Sequence, residues 1–149
     1  MSDLELYVRY AECSVLTLAG FALGTDALHG AVSKTLGAEK GFPRWFPTLA
    51  GLWELAIVGM NFSGDADLIL LAQRMLAVIM GGALYTHSTD PPPKSIGAIL
   101  WFGMSCAVPV FRGADLLQTV LRHGALAVGG VVIGKVVASL GPEPKSHSA

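Results

Sequence analysis

Five long apolar runs, each with at most one charged residue, constrain this 149-residue chain more than any other feature. They occupy 13–33 with Asp26 as the sole charge, 45–64 with Glu54, 68–87 with Arg74, 95–111 with none, and 124–140 with Lys135. An α-helix rises about 1.5 Å per residue, so 20 residues cover the roughly 30 Å hydrocarbon core of a bilayer. The two 17-residue runs stand at the short limit, and 115–123 reads as an interfacial helix joined to the last of them. Strands of a membrane barrel alternate polar and apolar residues, and these runs do not. In lipid every backbone N–H and C=O must be paired inside its own segment or a closed barrel, which selects helices here. The expected fold is all-α: a transmembrane helix bundle with a four-helix core over 1–111, a C-terminal interfacial or transmembrane helix over 112–140, and a polar tail over 141–149.

Composition narrows the class further. Hydrophobic residues make up 52% of the chain and glycines number 18, while charged residues reach only 14%. Soluble domains carry about 25% charged residues, and a small domain has much surface to cover with them. A cytosolic globular enzyme, a disordered region and a disulfide scaffold are all excluded on this ground. A formal net charge of −1 gives no basic footprint for nucleic acid. The N-terminal stretch has neither the basic start and cleavage site of a secretory leader nor the Arg-rich, acid-poor pattern of an organellar presequence. The chain is expected to insert without a cleaved leader or to be already processed. Localisation is expected in a bacterial inner membrane or an organellar energy-transducing membrane.

The connecting segments fit this division. Lys40-Gly41-Phe42-Pro43-Arg44-Trp45-Phe46-Pro47 ends in a proline suited to a helix start, with aromatic residues that favour the interface. Ser63-Gly64-Asp65-Ala66-Asp67 reads as a tight acidic turn, and Asp90-Pro91-Pro92-Pro93-Lys94 cannot be helical throughout. Pro109 removes a backbone donor and predicts a kink or a helix end nearby. Counting from the N-terminus, Arg9, Arg112 and Arg122 fall on one side, together with Glu5, Glu12 and four other acids. Lys34, Lys40, Arg44 and Lys94 fall on the other. This bias places the second side in the cytoplasm, matrix or stroma.

Depth arithmetic then selects candidate site residues. Glu54 lies eight residues before Phe62, roughly 12 Å in from that end, and Arg74 lies six residues into the following run, roughly 9 Å in from the same end. The two runs are joined by a short turn, so the heights predict a buried Glu54–Arg74 ion pair. Such a pair either fixes helix register or lines a cavity for a quinone, a lipid headgroup or a proton. At the opposite end Asp26 and His29 stand one turn apart, and His87 closes the third run at a similar depth. A carboxylate with two imidazoles suits headgroup contact and helix capping, proton shuttling, or ligation of a pigment or haem. No zinc-type spacing is present, so no metal site is expected. Cys13 and Cys106 differ in depth by roughly 13 Å, far beyond the about 7 Å limit for a disulfide. Gly20–Gly24 and Gly130–Gly134 each have the GxxxG spacing of close helix packing.

The stretch from about Leu18 to His87 resembles the DoxX-like family of small four-helix membrane proteins. The resemblance rests on Gly41-Phe42-Pro43-Arg44-Trp45, on Leu49-Ala50-Gly51-Leu52-Trp53-Glu54-Leu55, and on Met80-Gly81-Gly82-Ala83-Leu84-Tyr85-Thr86-His87. It implies a four-helix core with Glu54 facing inwards, and some relatives are subunits of membrane oxidoreductases that pass electrons to quinone. The extension after Phe111 departs from that pattern.

The resulting expectation is a non-catalytic accessory or assembly subunit of a larger respiratory or photosynthetic membrane complex. It would carry no cofactor of its own, contact quinone, lipid or pigment, and be partnered by the bilayer and other integral membrane subunits. The alternatives are a DoxX-like component of a quinone-linked membrane oxidoreductase, serving electron transport, and a bundle that binds a lipid or sterol-like ligand.

Overall fold

A computed structural model describes residues 3–24, 40–88 and 92–141. Among these residues the chain is all-helical, with five helices: α1 Asp3–Gly24, α2 Phe46–Phe62, α3 Ala66–His87, α4 Pro92–Phe111 and α5 Leu116–Ser139. Three stretches are long and apolar enough to cross a bilayer, Asp3–Leu23, Ala66–His87 and Leu116–Ser139, which points to a membrane protein. Ser95–Phe111 is a shorter apolar helix.

The helix ends follow local chemistry. Asp65 caps α3, its carboxylate accepting from the backbone N–H of Asp67 at 2.8 Å and of Leu68 at 3.0 Å. Asp115 caps α5 in the same way, accepting from Gln118 N–H at 2.8 Å. The turns before these caps reverse the chain at Gly64 (φ 76°) and Gly113 (φ 91°), left-handed conformations that a Cβ would oppose. Pro109 sits inside α4, which ends two residues later at Phe111, as a proline near a C-terminus allows.

Two boundaries differ from those read off hydropathy. The first helix begins at Asp3, ten residues before the apolar run, and so takes in Glu5, Arg9 and Glu12. Those three lie on the stripe that continues through Leu16 and Gly20, all buried, so the charges face protein rather than break the helix. At the other end, 116–139 is one uninterrupted helix rather than an interfacial piece joined to a short span.

The bundle has an end A, where α1, α3 and α5 start, and an end B, where they finish. α1 packs against α2, α3 against α5, and α4 bridges α3 and α1. The core is Leu16, Ile57, Ala72, Leu76, Met80 and Ala98, flanked by Met75, Trp101 and Phe102. α5 is not an appendage: its packing on α3 is the most extensive of any helix pair. It rests on glycines. A Cβ on Gly81 would overlap the Ala127 backbone carbonyl, and one on Gly130 would overlap the Val78 carbonyl. Gly134 faces the Tyr85 ring, so the Gly130–Gly134 spacing does mark a close helix contact. Gly20 packs likewise, a Cβ there standing 3.0 Å from the Gly51 carbonyl oxygen. At end B, Phe42 stacks on Phe46 with ring centres 4.4 Å apart and meets the Tyr85 ring edge-on at 6.3 Å.

Candidate functional site

Ionisable and amide side chains gather inside the bundle near end A. α1 has 3.6 residues per turn, so Glu5, Arg9 and Glu12 lie on one face, and all three are buried. α2 brings Asn61 to this level one residue before its end, and α3 brings Gln73 from its second turn; both are fully buried. Arg112, in the turn after α4, reaches the same place from the side.

The bonds run as a chain. Arg112 Nε donates to Glu5 Oε1 at 2.7 Å, and Arg9 Nη1 lies 3.5 Å from the same oxygen. Arg9 Nη2 also donates to the backbone carbonyl of Asn61. Gln73 Nε2 donates to Glu12 Oε2 at 3.0 Å and to Asn61 Oδ1 at 3.0 Å. The network thus ties α1, α2, α3 and the α4–α5 turn to one another through charge-assisted and amide bonds. Some capacity is unused: Glu12 Oε1, Gln73 Oε1 and Asn61 Nδ2 are buried without hydrogen-bond partners. Buried polar groups are normally paired, so these atoms call for an explanation.

The expected Glu54–Arg74 ion pair does not form. The ion pairs among the described residues are Arg9–Glu5 and Arg112–Glu5. Glu54 does face inwards, 8% exposed, but its Oε2 has no partner, and Arg74 is exposed. The heights were matched and the directions were not. Each residue turns a helix by about 100°, and it is Gln73, one position before Arg74, that lies on the buried stripe Ile69–Ala72–Gln73–Leu76–Met80.

The end B cluster is reached only in part. Asp26 and His29 lie outside the described residues. His87 is the last residue of α3, half-buried, and its carbonyl accepts from Ser95 Oγ at 3.1 Å. It stands at the opposite end of the bundle from the polar network. Cys13 and Cys106 are both buried free thiols. No group of three or more metal-ligating side chains occurs among the described residues.

Besides the end A network, two more features were not read from the sequence. His123 of α5 is buried, with Nδ1 at 3.3 Å from Ser105 Oγ and 3.6 Å from Cys106 Sγ on α4. Because Ser105 Oγ already donates to the Phe102 carbonyl at 2.7 Å, it can only accept from the imidazole. Nothing local in the sequence signals this contact, since it depends on how α4 and α5 meet. The second is an apolar groove of about 150 Å³ between α2, α3 and α5, towards end B. Trp45, Phe46 and Trp53 form one wall, and Gly82, Gly130 and Gly134 form the floor. Trp53 Nε1 donates to the Met75 carbonyl at 3.3 Å, and the surface that faces the groove is apolar throughout.

Comparison with known proteins brings no match: no family model, no curated protein and no solved structure matches this chain.

Proposed function

We propose that this chain is a multi-pass membrane protein serving as a non-catalytic accessory or assembly subunit of a larger respiratory or photosynthetic complex. The observation that carries the reading is the division of α5. Its inner stripe of Thr119, His123, Ala127, Gly130 and Gly134 is spent on the bundle. Its outer face presents Leu117, Leu121, Val128, Val132 and Val136, each more than half exposed. A helix seated tightly on α3 that turns a continuous aliphatic face outward suits a lateral contact with other transmembrane helices, where packing rather than water exclusion drives association. The polar network near end A supports a scaffold role, because it fixes several helices relative to one another in a setting where unpaired polar groups are costly. Purification from the native membrane in a mild detergent tests this. The chain is expected to migrate within a stable multi-protein assembly; recovery solely as a lone protomer would refute the subunit reading.

The groove near end B favours a second reading, a component that binds quinone or a sterol-like lipid, in keeping with the DoxX-like resemblance. A slot walled by indole and phenyl rings and lined by apolar surface suits a hydrocarbon chain or flat ring. Glu54, one turn from the groove residue Ala50 on α2, would meet its polar end. This reading expects Glu54→Gln to change quinone-dependent turnover of the assembly while the protein still inserts. Unchanged turnover removes it.

A further inference from the structure

Glu12 and Gln73 meet through a single hydrogen bond, yet the second oxygen of the carboxyl and the oxygen of the amide are both buried with nothing to bond to. Gln73 Nε2 donates to Glu12 Oε2 at 3.0 Å, while Glu12 Oε1 and Gln73 Oε1, the second oxygens of the same two planar groups, have no partner. Both of these oxygens are acceptors if the carboxyl is ionised. Turning the Gln73 amide over does not help. Its oxygen would then face Glu12 Oε2 and Asn61 Oδ1, two acceptors that its nitrogen now satisfies at 3.0 Å each. Turning Asn61 over as well would give Gln73 Oε1 a donor in Asn61 Nδ2 but would still oppose that oxygen to Glu12 Oε2, so in either orientation the Glu12–Gln73 pair lacks one hydrogen.

We propose that Glu12 is a proton-binding site: the carboxyl carries a proton on Oε1, which it donates to Gln73 Oε1, closing a two-bond ring between acid and amide. One proton taken from water converts the carboxylate to the acid and satisfies both orphaned oxygens at once. No other group is oxidised, reduced or displaced. Both side chains are fully buried, where leaving two acceptors unpaired is costly.

The surrounding groups are consistent with this assignment. Arg9, on the same helix, directs Nη1 to Glu5 and Nη2 to the Asn61 carbonyl. Arg112 directs Nε to Glu5. α2 and α3 face Glu12 with the neutral amides Asn61 and Gln73, the neighbouring Cys13 is a buried thiol, and Arg74 is turned outward. Glu5 is thus the carboxylate that bonds both guanidinium groups; the Arg9 charge still acts on Glu12, whose hydrogen bond comes from the Gln73 amide. The proton-loaded ring joins α1 to α3 by two bonds; loss of the proton removes one and leaves Glu12 Oε1 and Gln73 Oε1 again without a donor. The site therefore couples proton occupancy near end A to the contact between these helices, independently of which complex the chain joins.

Infrared spectroscopy of the purified chain in lipid nanodiscs tests the assignment. In mildly acidic buffer the wild type is expected to show a hydrogen-bonded carboxylic C=O band that moves in D2O. Glu12→Gln should remove that band, Gln73→Leu should shift it towards the free-carbonyl position, and Glu54→Gln should leave it in place. A glutamine at position 12 has the donor and acceptor pattern of the protonated acid, so this variant should keep the wild-type unfolding midpoint and lose part of its pH dependence. Spectra unchanged by Glu12→Gln would overturn the proposal. So would a wild type with no carboxylic band under these conditions, which needs no variant to fold.

Discussion

Replacing Gly81 with alanine should loosen α5 from α3, and the structure sets the scale of the effect. A Cβ at this position would stand 2.6 Å from the Ala127 carbonyl carbon and 2.8 Å from its Cα, overlapping the carbonyl oxygen as well. Ordinary contact begins near 3.4 Å, and every atom in the way is backbone, so no side chain can swing aside. The two helices must part by at least about 0.8 Å to free the carbonyl carbon and by more to clear the oxygen, and a gap of only about 0.5–1 Å already forfeits a quarter to a half of each van der Waals contact across it. Forced overpacking of this kind costs about 1–3 kcal/mol, against which the better helix propensity of alanine returns up to about 1 kcal/mol. The expected net loss is about 1–2 kcal/mol, measurable as a shifted midpoint in detergent-micelle unfolding followed by helical circular dichroism. Gly130→Ala should behave alike, since its Cβ meets the Val78 carbonyl, and the double variant should cost less than the sum because both open the same gap. Gly97→Ala and Gly103→Ala, with nothing within 4 Å, serve as controls and should be neutral or mildly stabilising. A Gly81→Ala midpoint equal to that of the controls would refute the close-contact argument.

Further outcomes follow from single contacts. Arg112→Gln removes a charge-assisted bond to a buried carboxylate and should cost about 1–3 kcal/mol in the same unfolding assay; a wild-type midpoint would mean that the 2.7 Å contact contributes nothing. Phe42→Ala empties the stack on Phe46 beneath the loop at end B and should cost about 3–5 kcal/mol, whereas a loss below 1 kcal/mol would place the ring outside the core. Cys13 and Cys106 should resist maleimide in the folded protein, label fully after denaturation, and give no intramolecular disulfide on mild oxidation, as a shift in non-reducing electrophoretic mobility would reveal.

Apolar run length was enough to locate α2, α3 and α4 to within a few residues, because a helix in an apolar setting needs only its own backbone bonds and a long enough stretch of oil-compatible side chains. It also placed Glu5, Arg9, Glu12 and Arg112 at one end, where Glu5 and Arg112 do meet. Run length failed at α1, since a hydropathy window treats every charge as an interruption. The signal that could have found the true start was the stripe Glu5, Arg9, Glu12, Leu16 and Gly20, polar for its first half and apolar for its second, yet a single helix face throughout.

Heights along a helix are arithmetic in residue number; directions around it, once several helices meet, are not. That is why Glu54 and Arg74 could be set at matching heights and still not meet: Glu54 is buried, whereas Arg74 is exposed and the buried face of α3 carries Gln73, which bonds Glu12 and Asn61 instead. The spacing of Gly130 and Gly134 was visible, but that it brings backbone against backbone depends on Gly81 and Gly82 standing opposite. The acid–amide pair of Glu12 and Gln73, 61 residues apart, and the His123 contact to Ser105 and Cys106 exist because separate helices settle at one register and one rotation. The amino-acid order by itself determined that this chain forms apolar helices and at what height each polar group stands. Which of those groups touch was decided by packing, because rotation about a helix axis is selected only when all the buried faces must fit together at once.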